Sequence, residues 1–416
     1  MRRAFGVASF LVVFAEGAAL RAPSALADDV APLSPGTLSV EVVEDGAVVH
    51  VRPDASSPRR GTVTLGTRLA VTKRVAGAGC PSHGWYVVGE DAYVCSAFAV
   101  PSPLPPVGED HAASLPGELL PLRVGIVRVD GTRRYAHPSD YGADEFVDTL
   151  GKNFAVVLGE TREEDGIRFV RTRGGYWVES STLDPPRPSA FEGVMLGADR
   201  ALPLAWVTAR KAAVYAAKSG AKVSRHASHR EVLALGDEVT KDRIATAEGG
   251  FVRLRDVAVA CTAPRPEGVG EHERWIDVDV SEQVLVAYEG DTPVFATLVS
   301  SGRPTAERAT PLGQFRIWVK LASSDMDDLE RTDVEENYFV EAVPWVQYFK
   351  DGVGFHTAFW HDDFGQARSH GCVNLSPKDA KWLFRFTGPN LPLGWHAVLP
   401  SGSETGTLVQ VRSSRH

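Results

Sequence analysis

Short apolar runs of strand length, each ended by Gly, Pro, Asp or Ser, recur along most of this 416-residue chain and confine it to a mostly β architecture. Runs at 38–43, 47–51, 68–73, 85–88 and 93–94 define a small all-β unit over 38–100, followed by the stiff spacer PSPLPP at 101–106. A second β-rich unit spans 119–187, with Arg168-Phe169-Val170-Arg171 and Tyr176-Trp177-Val178 on either side of a Gly-Gly turn. A third spans 200–264 and ends in Gly249-Gly250-Phe251-Val252-Arg253-Leu254 before a proline pair. Three units of about 65 residues, each closing with an aromatic/Val hairpin and then prolines, read as a degenerate repeat of small barrels.

From Glu273 the texture changes, and a further domain is expected over 273–413. Runs at 275–280 and 283–288 form two strands around a Ser281-Glu282 turn, and 293–300 and 314–320 form two more. The acidic stretch 322–337 reads as a mobile, solvated loop, without the alternating Asp pattern of a calcium loop. Ser376-Pro377-Lys378-Asp379 opens a short helix over 379–386, with Trp382 and Phe386 four apart on its core face. A last strand spans 405–411.

A net charge of -9 without a basic run excludes nucleic acid as a natural partner. Residues 1–27 have the form of a secretory signal: Arg2 and Arg3, an apolar run over 4–15 too short to span a bilayer, and the small-residue site Ala25-Leu26-Ala27. No later run is long enough for a transmembrane helix, so the mature chain is expected beyond the cytoplasmic membrane, in the periplasm or at the cell wall. Of the four cysteines, Cys80 and Cys95 share one strand-rich unit and suit a disulfide in that oxidising compartment. Cys261 reads as a small buried apolar side chain.

The stretch GFHTAFWHDDFGQARSHGCVNLSP, residues 354–377, concentrates the chemistry. His356, His361, His370 and Cys372 fall within seventeen residues. An unperturbed thiol is mostly protonated at neutral pH, so a nucleophilic Cys372 needs an imidazole to take its proton and a third group to hold that imidazole's tautomer. His356 is the base candidate, and the Thr357 carbonyl is its orienter. Gly371 permits a tight turn in which the Gly371 and Cys372 amides face an oxyanion. His356, His361, Asp362, Asp363 and His370 also offer zinc-type donors, but the reading adopted is metal-free and without a cofactor.

Ser369-His370-Gly371-Cys372-Val373-Asn374, preceded by Phe355-His356-Thr357, resembles the signature of the L,D-transpeptidase catalytic domain (YkuD family). Supporting matches include Arg274-Trp275-Ile276-Asp277-Val278, Val299-Ser300-Ser301-Gly302, Thr310-Pro311-Leu312-Gly313-Gln314-Phe315 and Val343-Pro344-Trp345. The resemblance implies a β-sandwich with a short helix, and the motifs at 49–53 and 84–88 resemble bacterial SH3-like modules placed before it. It further implies that Cys372 attacks an L,D bond of a wall stem tetrapeptide, releasing D-alanine, with His356 as base. Ser369, His370, Gly371 and Thr357 then shape the site and its oxyanion contacts. Asn374, Trp345, Trp360 and His361 line the substrate groove. The implied partners are peptidoglycan stem peptides, with an amine of a second stem, water or a lipoprotein lysine resolving the thioester. Water would make the protein an L,D-carboxypeptidase, and an inert last domain would make it a wall-binding scaffold.

Overall fold

The computed structural model describes residues 32–81, 84–327 and 338–414. The export signal expected at 1–27 therefore lies outside the described residues, as do positions 328–337 of the acidic stretch. Strands dominate, and the longest helix among the described residues is Pro377–Phe386. Ser376 caps it, its Oγ accepting from the Asp379 N–H at 3.3 Å, and Pro377 occupies the first turn, where no amide hydrogen is needed.

Two sheets and this helix enclose the C-terminal core. One sheet has six strands, ordered Val194–Met195, Thr292–Leu298, Val284–Glu289, Arg274–Asp279, Leu408–Arg412 and Gly313–Arg316. Alternation along its strands sends Ile276, Val278, Leu285 and Ala287 inward to meet Val346, Phe355, Val373 and Leu383. Trp275, Val284, Val286 and Tyr288 belong to a second cluster on the other face, with Leu204, Trp206, Ala258 and Ala260 of the third N-terminal unit. Burial on both faces is why these strands read as almost unbroken apolar runs. Trp382 and Phe386 pack as the sequence suggests: the Trp382 ring stacks on Phe295 at 4.1 Å and on Phe386 at 4.8 Å.

The opposing sheet is one hydrogen-bonded path through three parts of the chain. It passes from Ile167–Thr172 and Ala155–Glu164 through Phe339–Lys350, Val319–Asp327 and Trp395–Val398 to Arg59–Val63 and Ala47–His50. Arg59–Val63 lies antiparallel to Trp395–Val398, so close that a Cβ on Gly61 would stand 2.2 Å from the Ala397 carbonyl oxygen. Trp395 and Val398 also complete the core of the first unit, beside Val40, Val49, Val63 and Val94. The second unit joins at Ala155, parallel to Val340, where the Glu341 carboxylate accepts from the Val157 N–H at 2.7 Å. Pairing of this kind covers strand edges that would otherwise template aggregation.

Several expectations change at this level. No sheet closes into a barrel among the described residues, so the SH3-like barrels are not seen. The first unit divides between a three-stranded sheet and the long path, whereas the third forms its own seven-stranded sheet, so the repeat is not reproduced either. Short aromatic/Val hairpins are compatible with many β topologies and do not specify closure. Residues 322–327, read as loop from their polarity, continue the strand Val319–Asp327 because Phe339–Lys350 supplies their backbone partners. Cys80 and Cys95 are joined by a disulfide, whereas Cys261 and Cys372 are free, and Cys261, expected to be buried, is exposed.

Candidate active site

Strands Val353–Thr357 and Val373–Leu375 pair in parallel, with His356 opposite Asn374. Cys372 lies in the bend immediately before Val373–Leu375, two residues from Asn374. The imidazole and the thiol thus belong to neighbouring chain segments.

His356 is buried, and its Nδ1 lies 2.8 Å from the Thr357 carbonyl oxygen. A carbonyl only accepts, so Nδ1 carries the proton and Nε2 keeps a lone pair, as a general base requires. Thr357 therefore acts on the histidine through its main chain. Burial pulls the His356 pKa down to about 4, with the neighbouring His361 pulling in the same direction. Cys372 is half-buried, its Sγ 3.6 Å from the Gly352 carbonyl oxygen. Burial pushes its thiol up, and a backbone hydrogen bond from Gly354 offsets this only in part. At neutral pH both groups therefore rest uncharged, as thiol and imidazole.

Folding should register this burial. The unfolded chain protonates His356 near 6.5 and the folded chain near 4, so stability falls as pH drops through that window, by about 3 kcal/mol in total. His356→Gln, which does not titrate, should lose that share of the acid sensitivity. Urea midpoints at neutral pH and at about pH 4 would measure it. Equal acid losses in both proteins would mean that His356 protonates freely in the folded state.

The turn before the thiol is held from two directions. Gly371 has φ +133°, a conformation that disfavours side chains. Ser369 Oγ accepts from the Gly371 N–H at 3.0 Å and donates to the Cys372 carbonyl. The Gly371 amide, expected to face an oxyanion, is thus already engaged, which leaves the Cys372 amide as the nearer candidate donor. Thr310 Oγ1 donates to the Gly371 carbonyl at 2.7 Å and accepts from the Gly302 N–H at 2.9 Å. A Cβ on Gly302 would lie 2.9 Å from Gly371 Cα, so only glycine lets that segment back the thiol turn. In the sequence Gly302 and Thr310 fall within two of the matching motifs, but no local pattern marks their contact with the thiol turn across about sixty residues.

Around the pair, Trp360 is 38% exposed, with its ring 6.0 Å from that of His356. His361 Nδ1 accepts from the Asp363 N–H at 3.2 Å, so the neutral ring carries its proton on Nε2, 3.2 Å from the Asn374 side-chain amide. Turning the Asn374 oxygen toward that N–H satisfies both groups, whereas the reverse orientation leaves Oδ1 buried without a partner. His370 is exposed and stacks on Tyr338 at 5.6 Å. Trp345 departs from its expected place in the groove: it is fully buried and donates from Nε1 to the Ala112 carbonyl at 2.9 Å. Its bulk and its single donor are both satisfied in the core. Exposed Trp318, which the sequence did not single out, stacks at 6.0 Å on Tyr348, whose phenol lies near Cys372. Burial raises the Tyr348 phenol, and charge on Cys372 would raise it further.

A free thiol and a buried, tautomer-locked imidazole on a β-sandwich make a site suited to thiol nucleophilic chemistry. Residues 273–411 match the family model of the YkuD L,D-transpeptidase catalytic domain. A putative L,D-transpeptidase, YciB, of Bacillus subtilis is 32% identical over 124 residues, which is 26% of this chain and 59% of that protein. L,D-transpeptidase 1 of Mycobacterium tuberculosis is 37% identical over 92 residues, covering 20% of this chain and 35% of its own. The chain thus spans less than two thirds of either curated relative. Among solved structures, the catalytic domain of an Enterococcus faecium L,D-transpeptidase is 26% identical, covering 34% of this chain and 97% of that one, with a TM-score of 0.26. No helix of the described residues is long and apolar enough to cross a membrane.

Proposed function

We propose that this protein is an exported L,D-transpeptidase that cross-links peptidoglycan, with residues 273–413 as its catalytic domain and the units at 38–100, 119–187 and 200–264 as accessory modules. The match of 273–411 to the L,D-transpeptidase catalytic domain carries this reading, and the His356–Thr357 hydrogen bond supports the role given to each residue. Cys372 Sγ bonds to the carbonyl carbon of the L,D peptide bond while its proton passes to His356 Nε2. The C–N bond then breaks, His356 protonates the departing amine, and D-alanine leaves a thioester. An amine of a second stem bonds to the thioester carbonyl carbon as its proton passes to His356 Nε2; the C–S bond then breaks, and His356 returns that proton to Cys372 Sγ. The Cys372 amide stabilises the oxyanion in both halves, while Asn374, Trp360 and His361 line the groove.

Incubating the mature protein with stem tetrapeptide fragments and weighing the products tests this reading. Tri–tetra dimers with released D-alanine are the expected result. Free tripeptide alone would make the protein an L,D-carboxypeptidase, and an unchanged substrate would end the enzymatic reading.

A further inference from the structure

Residues 358–371 connect the strand of His356 to the turn of Cys372, and the middle of this loop is held by the third N-terminal unit. Arg230 lies just after the strand Val223–Ser228, in the left-handed region at φ +64°, with its N–H donating to the Val207 carbonyl at 2.7 Å. Its Nη2 donates to Asp362 twice, to the main-chain carbonyl at 2.7 Å and to Oδ1 at 2.6 Å. The guanidinium sits 4.9 Å over the Phe191 ring, which stacks on Phe364 of the same loop at 6.1 Å. Arg230 is only 18% exposed, whereas the Asp362 side chain is 56% exposed. Although burial opposes it, the Asp362 carboxyl is held below its ordinary value by hydrogen bonds from Arg230 and Ser189. The fit extends to Gly365, where a Cβ would stand 2.9 Å from the Thr208 methyl group.

The neighbours of Asp362 reach the reacting pair from the other side. Trp360, two residues before it, stacks on His356, and His361 bonds to Asn374 on the strand that follows Cys372. Asp362 is therefore the anchor between a contact with each half of the catalytic motif and a guanidinium over a hundred residues away in the chain. A guanidinium fixed by a charge-assisted double contact and an aromatic face holds a loop more tightly than a lone ion pair does.

We propose that Arg230 is a positioning residue for the catalytic loop, so that the third N-terminal unit completes the active site and is no mere spacer. The activity arm of its test rests on the function proposed above; the structural arm does not. Hydrogen exchange on the full chain should show the amides of 360–366 exchanging about 10-fold faster in Arg230→Ala, with the strands of 204–260 unchanged. Lys218→Ala, which removes an exposed ion pair with Glu238 in the same unit, should leave the loop as it was. Arg230→Lys, which keeps a charge and one hydrogen bond, and Asp362→Asn, which keeps both acceptors but loses the charge, should fall between. Iodoacetamide alkylation of Cys372 should stay within about twofold of wild type, while tetrapeptide turnover falls on the order of 10-fold. That split separates loop placement from general damage, which would slow both reactions. Unaltered loop exchange in Arg230→Ala would overturn the proposal. So would faster exchange throughout 204–260, because Arg230 would then only be holding its own unit together. A wild-type protein inert toward tetrapeptide would count against the proposed function, and the exchange data would still decide the role of Arg230.

Discussion

Replacing Cys372 with alanine should reduce turnover of stem tetrapeptide to background, a loss of at least about 10³-fold, because no other group can form the acyl intermediate. The wild-type protein, mixed with tetrapeptide or with a carbapenem-type beta-lactam, should gain one acyl mass increment on the peptide that carries Cys372. Cys372→Ser should lack that increment. Cys261 is the internal control, as the other free cysteine among the described residues. It is exposed, with its thiol pushed up by partial desolvation and then by Glu282, so Cys261→Ala should acylate as wild type does. The pH dependence carries the mechanism: with a raised thiol and an imidazole lowered to about 4, Cys372 alkylation should climb steadily above neutrality. A plateau reached below neutral pH would mean a preformed thiolate–imidazolium pair. An adduct on Cys372→Ala would remove the sulfur from the mechanism altogether.

Arg412→Ala should destabilise the fold by about 3–5 kcal/mol, read from the urea midpoint, by leaving two buried carboxylates without their cation. Asp277 and Asp279 are 1% and 2% exposed at their side chains. Arg412 grips Asp277 through Nε and Nη2, both within 3.0 Å, and reaches Asp279 Oδ2 from Nη1 at 2.8 Å. Burial raises Asp277 and Arg412 opposes that rise; Asp279 is held down, despite burial, by Ser281, Ser414 and Arg412. Without the guanidinium both carboxyls should bind protons more readily in the folded chain than in the unfolded one. The penalty should therefore be largest at neutral pH and shrink as pH falls toward the carboxylate range. Arg412→Lys should recover only part of the loss, since an ammonium cannot span both acids. A change below about 1 kcal/mol would mean that water replaces the cation, and would place this cluster with ordinary surface pairs.

The candidate catalytic residues were legible in the chain because they are close together in it. Cys372, His356 and the Thr357 carbonyl occupy one short stretch, and the parallel pairing of Val353–Thr357 with Val373–Leu375 sets their segments side by side. The helix was legible for the same reason: Ser376, Pro377 and the Trp382–Phe386 spacing are signals spread over a few residues. Trp345 was misjudged because an aromatic beside a motif looks the same whether it lines a groove or fills a core. Only the Ala112 carbonyl waiting for its N–H tells the two apart. The Gly371 amide was misjudged because a serine hydroxyl two residues away had already claimed it.

By itself the sequence determined the β class, the hairpins, the capped helix and the Cys/His motif, since each depends on periodicity or spacing within a few residues. Tertiary structure alone decided that Arg59–Val63 extends the sheet of Trp395–Val398, that Thr310 backs the thiol turn and that Arg230 grips Asp362. Those contacts join segments that are sixty to more than three hundred residues apart. Their strength comes from shape and charge meeting across the fold, and neither partner carries a mark of the other in its own neighbourhood.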